Sequence, residues 1–314
     1  MNETVTTALA LWGLPKANWK LIAARENQVF RADHNGVSYA VRLHRQGYRT
    51  DSELRSELQW MDAVAKEGLN VPAPIISTSN AFLHVVMGTQ IDVLTWLGGE
   101  PVGATGKDLE ITNRTELFTD IGREMARLHE VSDQWSYPEG FTRCSWDRAG
   151  LLGNNPLWGR FWENPTLSIL DKDLFETVRK RADVELAAIE GSQDYGLIHA
   201  DLVRENVMVD GGKLQLIDFD DGGFGFRLFD LATTLIKNLA EDDFAELRDA
   251  LINGYRSVRH IDTSALDLFI LLRATSYVGW IIPRMAEEGA QARNARFIIT
   301  ARRLAREYLN KKNS

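Results

Sequence analysis

The chain has 314 residues, 44% of them hydrophobic and 25% charged, with a formal net charge of −8 at pH 7. That balance suits one large domain or two packed lobes, and the acidic excess argues against a nucleic-acid surface or a polybasic membrane anchor, both of which need clustered positive charge. A single cysteine, Cys144, excludes an internal disulfide; the opening MNETVTTALALWG lacks the basic start and long apolar run of a secretory signal, so a cytoplasmic setting and small-molecule partners are expected.

Along the chain, the alternating runs QVFRAD and VSYAVRLH flank His34-Asn35-Gly36, and Asn-Gly favours a two-residue hairpin turn because both residues tolerate positive φ. Gln28 to His44 is therefore expected as a hairpin, with Ala32 opposite Tyr39, Phe30 opposite Val41 and Val29 opposite Arg42. Alternation then puts Val29, Ser38, Ala40 and Arg42 on one face. Small and aliphatic groups beside a guanidinium suit a flat ring with an anionic tail; the alternative is an exposed sheet face with a solvated arginine.

Thr50 and Glu53 next make a T-x-x-E capping box, and Leu54, Leu58, Met61 and Ala65 repeat at helical spacing, which predicts a helix from Thr50 to near Gly68. Glu57 borders the apolar stripe, where a lone carboxylate is costly without a partner. Arg42 is the candidate partner, and a solvated Glu57 at the edge of the stripe is the alternative. Pro72 and Pro74 close this region, AFLHVVM and IDVLTWL read as strands, and Gly98-Gly99-Glu100-Pro101 marks a boundary between an N-lobe, 1–98, and a C-lobe, 99–314. The C-lobe reads as mainly helical, through LFTDIGREMARLHEV, LFETVRKRADVELAAI, FAELRDALINGYRSV and ARFIITARRLAREYL. The most apolar run, Phe269 to Ile282, is interrupted by Arg273 and falls short of the roughly 20 residues that span a bilayer, so it reads as a buried helix.

The stretch IHADLVRENVMVDGGKLQLIDFDD, Ile198 to Asp221, sets acidic and amide side chains around two short apolar runs. Val207–Val209 and Leu214–Ile217 form a second expected hairpin around Asp210-Gly211-Gly212. Asp201 and Asn206 bracket one loop, and strand pairing would bring Asp218 near Asn206. An amide oxygen and a carboxylate at a strand mouth make a hard-oxygen site for Mg²⁺, which takes few protein ligands. Asp201 would be placed to orient a hydroxyl and accept its proton.

The pattern H-x-D-x-x-x-x-N followed by hydrophobic-Asp resembles the signature of the aminoglycoside phosphotransferase-like family, which includes choline kinases and is a branch of the protein-kinase fold. RLHRQGYRTDSELRSELQWMDAV, DVLTWLGGEP, IGREMARLHEV, GLLGNNPLWGRF and FGFRLFDLATTL are similar to the branch of bacterial stress-response kinases and homoserine kinases of the second type, so the resemblance runs from Leu21 to Leu309. It implies an α+β bilobal fold, with a small antiparallel-sheet N-lobe carrying one helix and a larger helical C-lobe. It further implies ATP and Mg²⁺ as cofactors and a hydroxyl acceptor such as an aminoglycoside, an amino alcohol or a homoserine-like compound. Asp201 then resembles the catalytic base, Asn206 and Asp218 the metal ligands, and Val29 and Ala40 the walls of the adenine slot. Arg42 and Glu57 resemble the phosphate-gripping pair, and Thr95 and Leu97 fall in the hinge segment on the nucleotide side. Asp230 resembles a buried aspartate that braces the catalytic loop through backbone N–H groups, and His199 a bracing residue.

The departures from that family concern charge and the phosphate loop. Arg42 stands where many kinases carry lysine, and no G-x-G-x-x-G precedes Phe30; Ala23-Ala24-Arg25-Glu26-Asn27 turns the corner, so phosphate capture leans on backbone N–H groups and the Asn27 side chain. Asp220 reads as a second metal ligand, a substrate contact or an exposed turn carboxylate. Trp158 and Trp162, one helical turn apart, would line a pocket for a cationic or sugar-like acceptor or belong to the core, and Arg160 and Arg284 suit an acceptor carboxylate. A Ser/Thr protein kinase of the stress-response type and a nucleotide-binding pseudokinase are the alternatives. The lack of an activation-loop segment after Asp218 favours a small acceptor in a fixed pocket, and the intact polar signature disfavours the pseudokinase.

Overall fold

A computed structural model describes residues 2–24, 27–104 and 106–311. The first part of the chain forms α1 (Asn2–Leu11), β1 (Asn18–Ala24), β2 (Gln28–His34), β3 (Val37–Leu43), α2 (Asp51–Lys66), β4 (Leu83–Val86), β5 (Thr89–Thr95) and β6 (Glu100–Pro101). There follow α3 (Arg114–Gln134), β7 (Ser145–Trp146), α4 (Arg148–Leu152), α5 (Ile169–Ile189), β8 (Tyr195–Ile198), β9 (Val207–Asp210), β10 (Lys213–Leu216) and β11 (Gly223–Phe226). Four helices end the chain: α6 (Arg227–Ile236), α7 (Phe244–Arg256), α8 (Leu266–Trp280) and α9 (Ala290–Lys311). These elements fall into two compact units that are not contiguous in sequence, the first formed by 1–102, 130–143 and 206–220 and the second by the rest.

In the first unit, β1-β2-β3-β5-β4 form one antiparallel sheet. Asn35 and Gly36 take φ values of 51° and 77°, and the hairpin register follows from that two-residue turn: Ala32 faces Tyr39, Phe30 faces Val41 and Val29 faces Arg42. One face of the sheet buries Phe30, Ala32, Val41, Leu43, Ile91 and Val93 against Val5, Ala8 and Leu9 of α1, a helix the sequence pattern did not announce. Thr50 caps α2 with the full capping box, its hydroxyl accepting from Glu53 N. The helix buries Leu54, Glu57, Leu58, Trp60, Met61 and Val64, so its stripe closes on Val64 rather than Ala65.

A three-stranded sheet, β10-β9-β6, completes this unit. Because Glu100 and Pro101 pair with β9 and Val102 N donates to Val207 O at 2.9 Å, the unit runs through Val102, past the Gly98-Gly99 pair. Gly99, at φ +88°, sits where a Cβ would come 2.3 Å from Val209 O, so the two segments approach this closely only over glycine. Arg25, in the corner before Asn27, lies outside the described residues with Glu26.

The second unit is mainly helical, with the small sheet β7-β11-β8. Gly223–Phe226 forms a strand, antiparallel to β8 and parallel to β7, that leads directly into α6. All residues of α6 are buried, and all of α8 except Asp267 and Trp280. The stretch Leu266–Arg284 is long and apolar enough to cross a membrane by composition, but its side chains are mostly the interior of this unit. An apolar helix enclosed by protein needs no lipid.

Candidate active site

The sheet face opposite the α1 core carries Val29 and Ala40, with Leu94 paired to Ala40 and Asp92 to Arg42. Arg42 is buried and binds two carboxylates: Nε and Nη2 donate to Asp92 at 2.8 and 2.9 Å, and Nη1 donates to Glu57 Oε1 at 2.9 Å. Glu57 is 0% exposed and also accepts from Arg143 Nη1 at 3.2 Å, so it is a paired core carboxylate and not a solvated one. Burial pushes the Asp92 carboxyl up, but Arg42 and His44 overcome this and hold it at about 2. Burial likewise opposes ionisation of Glu57, and Arg42 and Arg143 bring its pKa below the ordinary value. The guanidinium fork of Arg42 engages both acids through separate nitrogens, which a lysine ammonium cannot reproduce in the same plane.

Asp220 joins this network. Asn27 Nδ2 donates to its carboxylate, Arg42 Nη1 lies 3.6 Å away, and Arg143 and Arg49 donate to its backbone oxygen at 2.8 and 3.0 Å. The carboxylate is thus turned toward Arg42 and Asn27 and is 14% exposed, so it is not a solvent-exposed turn group. Thr95 is opposite Tyr39, on the core face, and its hydroxyl accepts from Ala73 N at 2.9 Å, so its side chain is kept off the Ala40–Arg42 face. Leu97, two residues past β5, is half-buried.

The hairpin β9–β10 closes through Gly211-Gly212, and the ladder extends one step to Ile217 N donating to Asn206 O at 3.0 Å. Asn206 and Asp218 therefore meet at its open end. Asp218 takes φ 69°, a conformation rare for a residue with a Cβ, which turns the chain sharply at this carboxylate. The donors are an amide and a carboxylate, hard oxygens that fit Mg²⁺; among the described residues no group of three or more His, Cys, Asp or Glu gathers as a metal cage.

In the second unit the loop after β8 carries Asp201. Ala200, at φ 63°, is held by buried Asp230, whose carboxylate accepts from His199 N at 2.8 Å and Ala200 N at 2.6 Å. His199 Nδ1 in turn accepts from Asp201 N at 3.3 Å. His129 Nε2 meets Asp230 at 3.0 Å; burial and then Arg227 bring the imidazole down to about 4, so it is neutral near pH 7. Burial raises the Asp201 carboxyl to about 7, although Arg273 Nη2 donates to Oδ1 at 2.7 Å and favours the ionised form. A carboxylate that titrates near neutrality can take a proton and return it.

Several of these groups escaped sequence reading. Asp92 left a signal, an acid inside the apolar run IDVLTWL; Arg143 and His129 left none, since each is tied to its partners only by packing. Arg273 was visible as the charge interrupting an apolar run. Trp158 and Trp162 do not share a helix: Trp158 packs on Trp146, Tyr277 and Trp280, while Trp162 lies under Arg179. Arg160 is exposed and bonded to Asn154, Asn155 and Glu163, and Arg284 is folded onto Trp280.

The model of the phosphotransferase enzyme family, APH, matches residues 18–269. A homoserine kinase of Chelativorans sp. is 25% identical over 272 residues, 83% of this chain and 77% of that protein. Among solved structures, a microcompartment-associated aminopropanol kinase superposes with a TM-score of 0.86 at 25% identity, covering 99% of this chain and 98% of the other. Amicoumacin kinase hAmiN, in complex with AMP-PNP, Ca²⁺ and Ami, gives 0.77 at 20% identity over 98% and 93% of the two chains.

Proposed function

The chain belongs to the phosphotransferase enzyme family, and on that premise we propose that it transfers the γ-phosphate of ATP, with Mg²⁺, to the hydroxyl of a short amino alcohol or hydroxy amino acid. It is a small-molecule kinase of that family with the kinase-like fold. The acceptor class follows the relatives' names, aminopropanol and homoserine.

The observation that carries the reading is the state of Asp201, a carboxyl near neutral pKa on a loop whose backbone is braced by Asp230. In the proposed reaction Asp201 accepts the acceptor hydroxyl proton as the acceptor oxygen bonds to the γ-phosphorus and the bond to the β–γ bridging oxygen breaks. Such transfer asks little covalent work of the protein and much positioning. Arg273 and His199 supply positioning by holding Asp201 through its side chain and its N–H.

The nucleotide roles fall to the first unit. Val29, Ala40 and Leu94 offer the base an apolar surface, and the segment through Leu97 offers backbone groups to its edge. Arg42, set by Glu57 and Asp92, and Asn27 are assigned to the phosphates. Asn206 and Asp218 would hold Mg²⁺, which when bound neutralises charge on the phosphates; Asp220 is assigned to orienting Arg42 and Asn27.

Incubation with γ-labelled ATP and Mg²⁺ over amino alcohols, hydroxy amino acids and amino sugars tests the reaction. Asp201→Asn should lower turnover by about 10²–10⁴-fold, the span of general-base contributions, with nucleotide binding retained. If nucleotide binding disappears instead, Asp201 has been given the wrong role. Asp218→Ala should weaken nucleotide binding only when metal is present, and unchanged metal dependence would move the cation elsewhere.

A further inference from the structure

The second unit places two cations on one aromatic cluster beside Asp201. Arg273, in α8, is 0% exposed. Its Nη2 donates to Asp201 Oδ1 at 2.7 Å and to Tyr277 Oη at 3.2 Å, while Nε and Nη1 are buried without a hydrogen-bond partner. The guanidinium lies 4.2 Å from the Trp158 ring centre and 4.5 Å from that of Tyr277. Lys237, at the end of α6, sets its ammonium 4.3 Å over the same Tyr277 ring and 5.6 Å from that of Phe297. Among the described residues its ammonium makes no hydrogen bond or ion pair, and it acts electrostatically on Asp201.

Buried guanidinium donors are ordinarily satisfied, and a half-buried ammonium ordinarily finds an acid. Here the rings satisfy the cations only in part, and Arg273 has one acid for a fork with five donors. The acids that act on Asp201 in this unit, Asp221 and Glu205, raise its pKa and give Lys237 no ion pair. The cluster therefore sets two cations against the single carboxylate of Asp201. Because the base must touch the acceptor hydroxyl, the groups packed around that base border the acceptor.

Resting on the phosphotransfer reading above, we infer that the acceptor carries a carboxylate, bound by Lys237 with the unpartnered donors of Arg273, so that hydroxy acids and hydroxy amino acids are preferred over amino alcohols. Arg160 and Arg284, the arginines the sequence offered for this role, are held by Asn154, Asn155, Glu163 and Trp280. The anion subsite is built instead from α6 and α8. Its aromatic walls exclude water and strengthen the attraction to a carboxylate.

The test compares L-serine, L-serinamide and ethanolamine, and the analogues one methylene longer, as acceptors for the full chain with MgATP, by ADP release. All carry a hydroxyl and an ammonium; in each set of three only the amino acid has a carboxylate. A preference in kcat/KM of tenfold or more for the carboxylate compound over its amide is expected, collapsing to about twofold in Lys237→Met and restored in Lys237→Arg. Equal use of acid and amide, or preference for the amine, overturns the inference. So does a Lys237→Met variant whose KM for ATP rises while the acid-to-amide ratio stays, since that assigns the cation to the phosphates. Calorimetric titration of the same compounds onto the protein with AMP-PNP reads binding without turnover. Selective, Lys237-dependent binding of the carboxylate with no transfer would uphold the subsite and reject the phosphotransfer reading; transfer to ethanolamine but not to serine would do the reverse.

Discussion

Replacing Arg273 by Gln removes a cation that stands 2.7 Å from the Asp201 carboxylate. With charge centres about 4 Å apart and an effective dielectric near 20, the pair is worth about 4 kcal/mol at most. The Asp201 side chain is 23% exposed, so water screens part of this, and an opposite charge in contact usually moves a carboxyl by about 1–3 pH units. The sign is fixed by charge: Arg273 favours the ionised form, so its loss moves the midpoint up from about 7. The assay is the pH profile of kcat/KM for the best acceptor, which reports the free enzyme. The wild type should gain about tenfold per pH unit on its acid limb and level off above the midpoint. Arg273→Gln should reach its plateau only in more alkaline buffer, and Arg273→Lys, which keeps a charge, should return most of the way. An unshifted midpoint in Arg273→Gln would mean that the titrating base is not Asp201.

The remaining predictions concern the groups that hold the site. Glu57→Gln leaves Arg42 and Arg143 short of one buried counter-charge and should destabilise the fold by about 3–5 kcal/mol in chemical denaturation; less than about 1 kcal/mol would show that water already screens the pair. Asp230→Asn supplies one acceptor oxygen where two backbone N–H groups and His129 converge, so stability should fall by about 1–3 kcal/mol and kcat should drop while KM for ATP holds. Retained kcat would mean that the Asp201 loop keeps its conformation unaided. Because the folded-state pKa of His129 lies near 4, below its ordinary 6.5, its contribution is present above pH 6.5 and is lost as pH falls toward 4. The pH dependence of unfolding should therefore be steeper in wild type than in His129→Gln across that window, by up to about 1.4 kcal/mol per pH unit, and parallel curves would contradict it.

What the sequence determined by itself is what neighbours along the chain decide. The Asn-Gly turn set the register of β2 and β3, hence which residues face Arg42; the capping box started α2; and the Gly-Gly turn brought Asn206 to Asp218. The spacing of His199, Asp201 and Asn206 was legible because one short loop contains all three. Only the tertiary structure decided where the charges end. It took Asp92 and Arg143, 50 and 101 positions from Arg42, to neutralise the pair with Glu57, and it separated Trp158 from Trp162 by breaking the expected helix at Gly159, φ +87°. It also left Arg273 and Lys237 around one tyrosine ring. Strand period, turns and caps act over a few residues and leave a pattern, whereas the partner of a buried charge is chosen by packing between distant segments, for which composition and spacing carry no mark.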